Sequence, residues 1–153
     1  MKDIIGYEDK YAVDTDGNVY SKNYHRSGKT KMLKAHPVSG GYLAVTLCKE
    51  VKKKTLMVHR LMAEVYLPDF CKELEVDHID RDKLNNNLSN LRMVSKSQNQ
   101  WNRSPKGYSY NKSMGKYQAC IMKNNKQHYL GYFLKEEDAR QAYLTAKETM
   151  HVI

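Results

Sequence analysis

Between Glu75 and Val94 the chain runs EVDHIDRDKLNNNLSNLRMV, with Asn85, Asn86, Asn87 and Asn90 crowded between two apolar stretches. Asparagine disfavours the interiors of both helices and strands, so this run limits any regular element around it to a few residues. The segment therefore reads as a short strand over 74–77, a polar loop, and a second short strand over 90–94. Ser95 followed by Gln98 has the spacing of a capping box, which starts a helix over about 96–102. Residues 74–102 thus read strand, loop, strand, helix. Asp77 and His78 sit where the first strand gives way to the loop.

The rest of the chain is also cut into short pieces. Tyr11–Asp14 and Val19–Ser21 flank the turn Asp16-Gly17-Asn18 and suggest a hairpin. Residues 22–31 are polar and are expected to form a mobile loop. Residues 42–47 and 55–58 read as strands around the basic turn Lys52-Lys53-Lys54. Leu61, Met62, Val65 and Tyr66 recur at helical spacing until Pro68. Residues 103–107 look like a linker or turn. Strands follow near 108–110, over 116–123 and over 127–133, and then a helix from Glu136. That helix has Ala139, Ala142, Tyr143 and Ala146 on one face and three acidic residues in its first turn. We expect an α+β protein of three modules: a β-rich one over 1–57, a strand–strand–helix unit over 58–102, and a three-stranded sheet plus helix over 103–153.

The net charge of +9 is uneven: residues 1–58 balance at +5, residues 59–100 at −1 and residues 101–153 at +5. Basic flanks favour a polyanionic partner: nucleic acid, an acidic membrane surface or an acidic protein. A membrane partner is not expected, because no stretch approaches ~20 apolar residues and the start, MKDIIGYEDK, has no signal-peptide core. Cys48, Cys71 and Cys120 lie far apart with no CxxC pair, so neither structural zinc nor a disulfide framework is expected. This is the pattern of an intracellular, reduced protein.

Asp77, His78 and Asn99 together suit phosphodiester hydrolysis. That reaction needs an activated water, charge stabilisation at the phosphate and help for the leaving oxygen. Histidine is the side chain suited to general-base work near neutral pH, which makes His78 the candidate base. Asp77 offers a hard carboxylate oxygen and Asn99 an amide carbonyl, an all-oxygen pair suited to Mg²⁺ or Mn²⁺ with positions left for water and phosphate. The strand has to end at this point for both functions to reach one phosphate. The asparagines then shape the loop that aims the histidine.

Asp77-His78, Asn85-Asn86, Asn90-Leu91-Arg92 and Asn99 resemble the His-Asn-His (HNH) nuclease motif, in the branch whose final His is Asn. The upstream VHRLMAE, residues 58–64, resembles the same branch, which occurs in phage homing endonucleases. The resemblance implies a ββα-metal (His-Me finger) fold at the centre of the chain and a metal-dependent DNA endonuclease. It makes Asp77 and Asn99 the ligands of one Mg²⁺ or Mn²⁺, His78 the general base, and Asn90 the brace that keeps the loop and His78 in place. It also implies products with 5′ phosphate and 3′ hydroxyl ends and, for a phage-encoded protein, the cytoplasm of a bacterial host.

Ile5-Gly6-Tyr7-Glu8, Tyr11–Val13, residues 17–21, Leu33 and Gly41-Tyr42 are similar to the nuclease-associated modular domain. Lys106–Tyr108, Gly115–Ala119, Leu130–Phe133 and residues 136–143 resemble the ethylene-response-factor type of DNA-binding domain, which lays a three-stranded sheet in the major groove. The implied sheet face carries Ser109, Lys116, Gln118, Gln127 and Tyr129 beside Cys120 and Met122, where the plant family has Arg and Trp. Gln118 or Gln127 could read adenine edges.

Simpler readings stand beside these. His59 opens a helix among apolar residues and suits a structural, hydrogen-bonded role. Arg92 either reaches a phosphate or pairs with a carboxylate such as Asp80. Lys52, Lys53 and Lys54 either form a solvated turn or track the DNA backbone. The alternative for the whole chain is a catalytically inactive, sequence-specific DNA-binding regulator on an HNH scaffold. The expected partner is double-stranded DNA. With one site per chain, a monomer would nick and a dimer would be needed for double-strand breaks.

Overall fold

The protein is described from a computed structural model covering residues 1–152. It mixes short strands with three α-helices among the described residues and divides into two compact units, Met1–Lys96 and Ser97–Ile153. Among the described residues no helix is long and apolar enough to cross a membrane.

In the first unit, β1 (Lys2–Asp3), β2 (Tyr11–Val13), β3 (Val19–Ser21) and β4 (Lys31–Met32) form an antiparallel sheet in that order. The hairpin anticipated around Gly17 is present, with Val13 opposite Val19 and both buried. Residues 22–31 were expected to be mobile but carry local order. Tyr24–Arg26 is a 3₁₀ turn, the Tyr24 N–H donates to the Lys29 carbonyl at 3.0 Å, and the Lys31 ammonium lies 4.2 Å from the Tyr24 ring centre.

A second sheet runs β5 (His36–Val38), β6 (Tyr42–Lys49) and β7 (Lys52–Met57). Helix α1 (Val58–Tyr66) follows, then the antiparallel pair β8 (Glu75–His78) and β9 (Leu91–Val94), joined by the asparagine-rich loop with a 3₁₀ turn at Leu88–Asn90. One apolar cluster unites these pieces: Ile4, Val13, Val19, Val45 and Leu47 pack with Val58, Leu61, Met62, Val76 and Leu91. Residues on both sides of the expected boundary at 57/58 therefore share a core. This is what small sheets need, since neither could bury enough apolar surface alone. The Tyr66 hydroxyl fastens α1 to the first sheet by donating to the Val13 carbonyl at 2.8 Å.

Helix α2 (Lys96–Asn102) begins at the division between the units, which falls inside the expected 58–102 span. In the second unit β10 (Tyr108–Asn111), β11 (Lys116–Lys123) and β12 (Lys126–Phe133) form an antiparallel sheet, followed by α3 (Glu136–Met150). Ala119, Ile121, Ala139 and Tyr143 are buried. Residues 103–107 are pinned rather than loose. The Arg140 guanidinium donates to the carbonyls of Pro105 and Lys106, and Gly107 adopts φ +78° where any Cβ would fall 2.0 Å from the Tyr143 ring.

Candidate active site

Strand β8 extends one residue further than its sequence suggests. His78 pairs with Leu91, and the Ile79 N–H still donates to the Asn90 carbonyl at 2.9 Å. The strand was expected to end at Asp77 so that Asp77 and His78 could turn to one side. The ladder carries it through His78 instead, and successive side chains leave opposite faces. Both residues are buried, each 4% exposed.

On one face, Asp77 Oδ2 accepts from Arg92 Nε at 2.9 Å and pairs with its terminal nitrogen at 2.8 Å. Arg92 stands directly opposite Asp77 in the β8–β9 register. The arginine thus has a carboxylate partner, but that partner is Asp77 and not Asp80. Both prongs converge on Oδ2, so the guanidinium holds that one oxygen in place.

On the other face, His78 Nε2 lies 3.2 Å from Asn86 Oδ1. An amide oxygen only accepts, so this contact keeps a proton on Nε2 and leaves the lone pair of the neutral ring at Nδ1. The Asn86 amide nitrogen in turn donates to the Leu84 carbonyl at 3.2 Å. The ring is walled by His59, whose centre lies 5.3 Å away, edge to face, and by Tyr42 at 6.0 Å. Lys83 covers Tyr42 at 4.7 Å and donates to the Gly40 carbonyl at 2.8 Å. His59 is buried, yet its Nδ1 has no hydrogen-bond partner among the described residues, unlike the hydrogen-bonded role its sequence position suggested.

Each asparagine has a separate task. Asn90 ties the loop ends: its Oδ1 accepts from the Asp80 N–H at 3.0 Å, and its Nδ2 donates to Asp80 Oδ1 at 2.9 Å and to the Asn85 carbonyl at 2.8 Å. Asn85 donates to Asp80 Oδ2 at 2.7 Å, and this bond, ahead of the Asp82 N–H, holds the Asp80 carboxyl below its usual value. Asn87 caps the 3₁₀ turn by accepting from the Ser89 N–H. Asn86 therefore holds the His78 ring at Nε2, and Asn90 acts on the loop around it. Composition shows four similar residues here, and only the closed loop distinguishes them.

The other sequence candidates are placed by the elements that carry them. Asn99 is on α2. Lys52, Lys53 and Lys54 are exposed on β7. In the second unit Ser109 faces Gln118, Gln118 faces Tyr132, Cys120 faces Tyr129, Met122 faces Gln127, and Asn111 faces Lys116. Directly opposed residues share a face, so Ser109, Gln118, Tyr129 and Gln127 line one side of that sheet. Tyr132, 45% exposed, belongs to this side and was not among the sequence candidates.

Among the described residues no group of three or more His, Cys, Asp or Glu side chains is gathered to hold a metal. Asp77 nonetheless supplies a fixed carboxylate. A single carboxylate joined by amide, water and phosphate oxygens suits a hard divalent cation, and the donor set fits Mg²⁺ or Mn²⁺ better than a thiolate-seeking metal.

With this geometry, residues 56–101 match the family model described as HNH endonuclease, and the chain carries an HNH endonuclease domain there. Among individual proteins, it is 42% identical over 106 residues to the DNA endonuclease I-HmuI of Bacillus phage SP01, covering 69% of this chain and 58% of that protein. It is 39% identical over 95 residues to the H-N-H endonuclease F-TflII of Escherichia phage T5, covering 61% of this chain and 47% of the relative. A solved structure of DNA binding and cleavage by the HNH homing endonuclease I-HmuI aligns with a TM-score of 0.59 at 42% identity, over 66% of this chain and 55% of that one. The chain thus spans about half the length of the curated relatives it matches.

Proposed function

We propose that this chain is a metal-dependent DNA endonuclease of the homing type, hydrolysing phosphodiester bonds of double-stranded DNA. The observation that carries the reading is His78, a buried imidazole held at Nε2 by Asn86 within the segment that matches the HNH endonuclease family. In this reading Nδ1 of His78 takes a proton from water as the general base, while Asn86 and the walls formed by His59 and Tyr42 keep the ring from turning. Asn90 maintains the loop that presents Asn86.

Asp77, oriented by Arg92, and Asn99 would hold one Mg²⁺ or Mn²⁺, which when bound neutralises charge on the phosphate and the leaving oxygen. Asn99 is assigned by its place in the motif. Arg92, engaged with Asp77, serves the site by orienting that carboxylate, and any phosphate contact it makes would be shared with that role. The N-terminal sheets are assigned to a nuclease-associated module, and the face with Ser109, Gln118, Gln127 and Tyr129 to an ethylene-response-factor-like DNA contact, with Lys116 and the β7 lysines on phosphates. The expected setting is the cytoplasm of a bacterial host.

The test is cleavage of supercoiled plasmid with Mg²⁺ or Mn²⁺, beside EDTA and the His78→Ala variant. We expect metal-dependent nicking, lowered about 10²- to 10⁴-fold in His78→Ala, as loss of a general base implies. Tight duplex binding with no cutting, on cognate phage and host DNA as well, would establish a DNA-binding regulator instead.

A further inference from the structure

We propose that the turn Asp14–Asn18 of the N-terminal hairpin is a positioning element for His78, acting through Asn86. The inference rests on the nuclease reading for its catalytic consequence, though not for its geometry. Three successive residues of the turn meet three successive residues of the asparagine loop. The Thr15 carbonyl accepts from the Leu88 N–H at 2.8 Å, Asp16 Oδ1 accepts from Asn87 Nδ2 at 2.9 Å, and Gly17 lies against Asn86. At Gly17 the fit leaves no room for a side chain. A Cβ there would stand 2.8 Å from Asn86 Cβ and 3.0 Å from its carbonyl oxygen, and φ is +85°.

The turn is itself rigid. Asp14 Oδ1 accepts from the N–H groups of Asp16 and Asn18 at 3.0 and 2.9 Å, and Oδ2 accepts from Asn18 Nδ2 at 3.0 Å and the Tyr20 hydroxyl at 2.8 Å. Val13 and Val19 anchor both ends in the core. A braced surface therefore backs an amide that touches His78. Asn86 has a short side chain, so moving its Cβ by a few tenths of an ångström moves Oδ1 off His78 Nε2 by as much. Small errors in the aim of a catalytic group are expensive, up to ~10²-fold for about 1 Å. The arrangement makes the N-terminal sheet part of the catalytic apparatus.

The experiment compares Gly17→Ala, Asp16→Ala and Gly6→Ala in the full chain. Gly6 shares the left-handed backbone, φ +80°, but a Cβ there meets nothing within 4 Å, so Gly6→Ala controls for backbone strain. Three quantities are read: the His78 ring-nitrogen NMR signals without DNA or metal, the cleavage rate at saturating DNA, and the Kd for duplex. Gly17→Ala should shift the His78 signals and lower the rate roughly 10- to 100-fold with Kd unchanged. Asp16→Ala should act in the same direction more weakly, and Gly6→Ala should match the wild type in all three.

Folded Gly17→Ala with wild-type ring signals and rate would overturn the proposal, as would an equal loss of rate in Gly6→Ala. If Gly17→Ala does not fold, Asp16→Ala decides alone, since it adds no strain: shifted signals support the proposal and unshifted ones overturn it. A wild type that cuts no DNA defeats the nuclease reading, while the ring signals still decide whether the turn holds His78.

Discussion

His59 shows how one residue beside His78 can shape stability. Burial, then the nearby charges of His78 and Arg60, push its imidazole down from 6.5 to about 4. The unfolded chain therefore binds this proton more readily than the folded one between those values. Stability from a neutral His59 is full above about pH 6.5, falls as pH drops toward 4, and levels off below. The shift corresponds to about 3 kcal/mol. Asp80 and Asp14 act in a different window. Asn85 leads the bonds that lower Asp80, and at Asp14 burial opposes the shift but the bonds from Asn18, Tyr20 and Asp16 outweigh it. Both carboxyls sit below the ordinary 3.8, so their contribution is present above that value and is lost at still lower pH. Urea midpoints at pH 7 and 4.5 isolate the histidine. The wild type should lose stability between them and His59→Phe should lose clearly less. Equal losses would exclude His59 as the source.

At the scale of elements, β7 separates the three lysines that the sequence presents as one cluster. Thr46 opposes Thr55 with their hydroxyls 3.0 Å apart, and Cys48 opposes Lys53, so Lys53 shares the solvent face of the sheet with these threonines. Lys54 opposes the fully buried Leu47, and Lys52 lies on that same core side of an edge strand. If duplex DNA lies on the open face, Lys53→Ala should flatten the dependence of log K on log salt by roughly 0.9, one phosphate's worth, and Lys54→Ala by less. A larger effect from Lys54 would put the DNA on the edge instead.

The same element-level logic explains what was legible in the sequence. Strand-type runs bounded by turn signals gave β6, β11 and β12, and helical spacing with an acidic first turn gave α3, because those elements are long enough for a local pattern to show. The two-residue strands β1 and β4, and β5 with Pro37 inside it, exist only through pairing with distant neighbours. No local pattern announces them. At the site, Asp77, His78 and the asparagine loop were legible from residue type and order. The Arg92–Asp77 pair was not, because it depends on the β8–β9 register. Nor was the choice of Asn86 over Asn90 at the His78 ring, which depends on how the loop closes over the hairpin turn at Gly17.

For the molecule as a whole, charge and chemistry pull against each other. Residues 59–100 carry a net −1 between flanks of +5 each, and the proposed site centres on the carboxylate of Asp77. On the proposed reading the flanks attract the DNA backbone, while the metal-free Asp77 carboxylate, although paired with Arg92, repels the one phosphate that must approach it. A bound divalent cation would reverse that local repulsion, so metal and DNA should each strengthen the other's binding. Linkage requires the two gains to be equal, and couplings of this kind typically amount to about 5- to 150-fold. His78→Ala makes the measurement clean, since it should bind without cutting. Its Kd for duplex should fall in Mg²⁺ relative to EDTA, and its affinity for Mg²⁺ should rise by the same factor when duplex is present. Adding Asp77→Asn should abolish most of the coupling while leaving the flank-driven, salt-sensitive binding in place. Identical Kd values with Mg²⁺ and with EDTA would mean that the DNA is held by the flanks alone, with its phosphate away from Asp77.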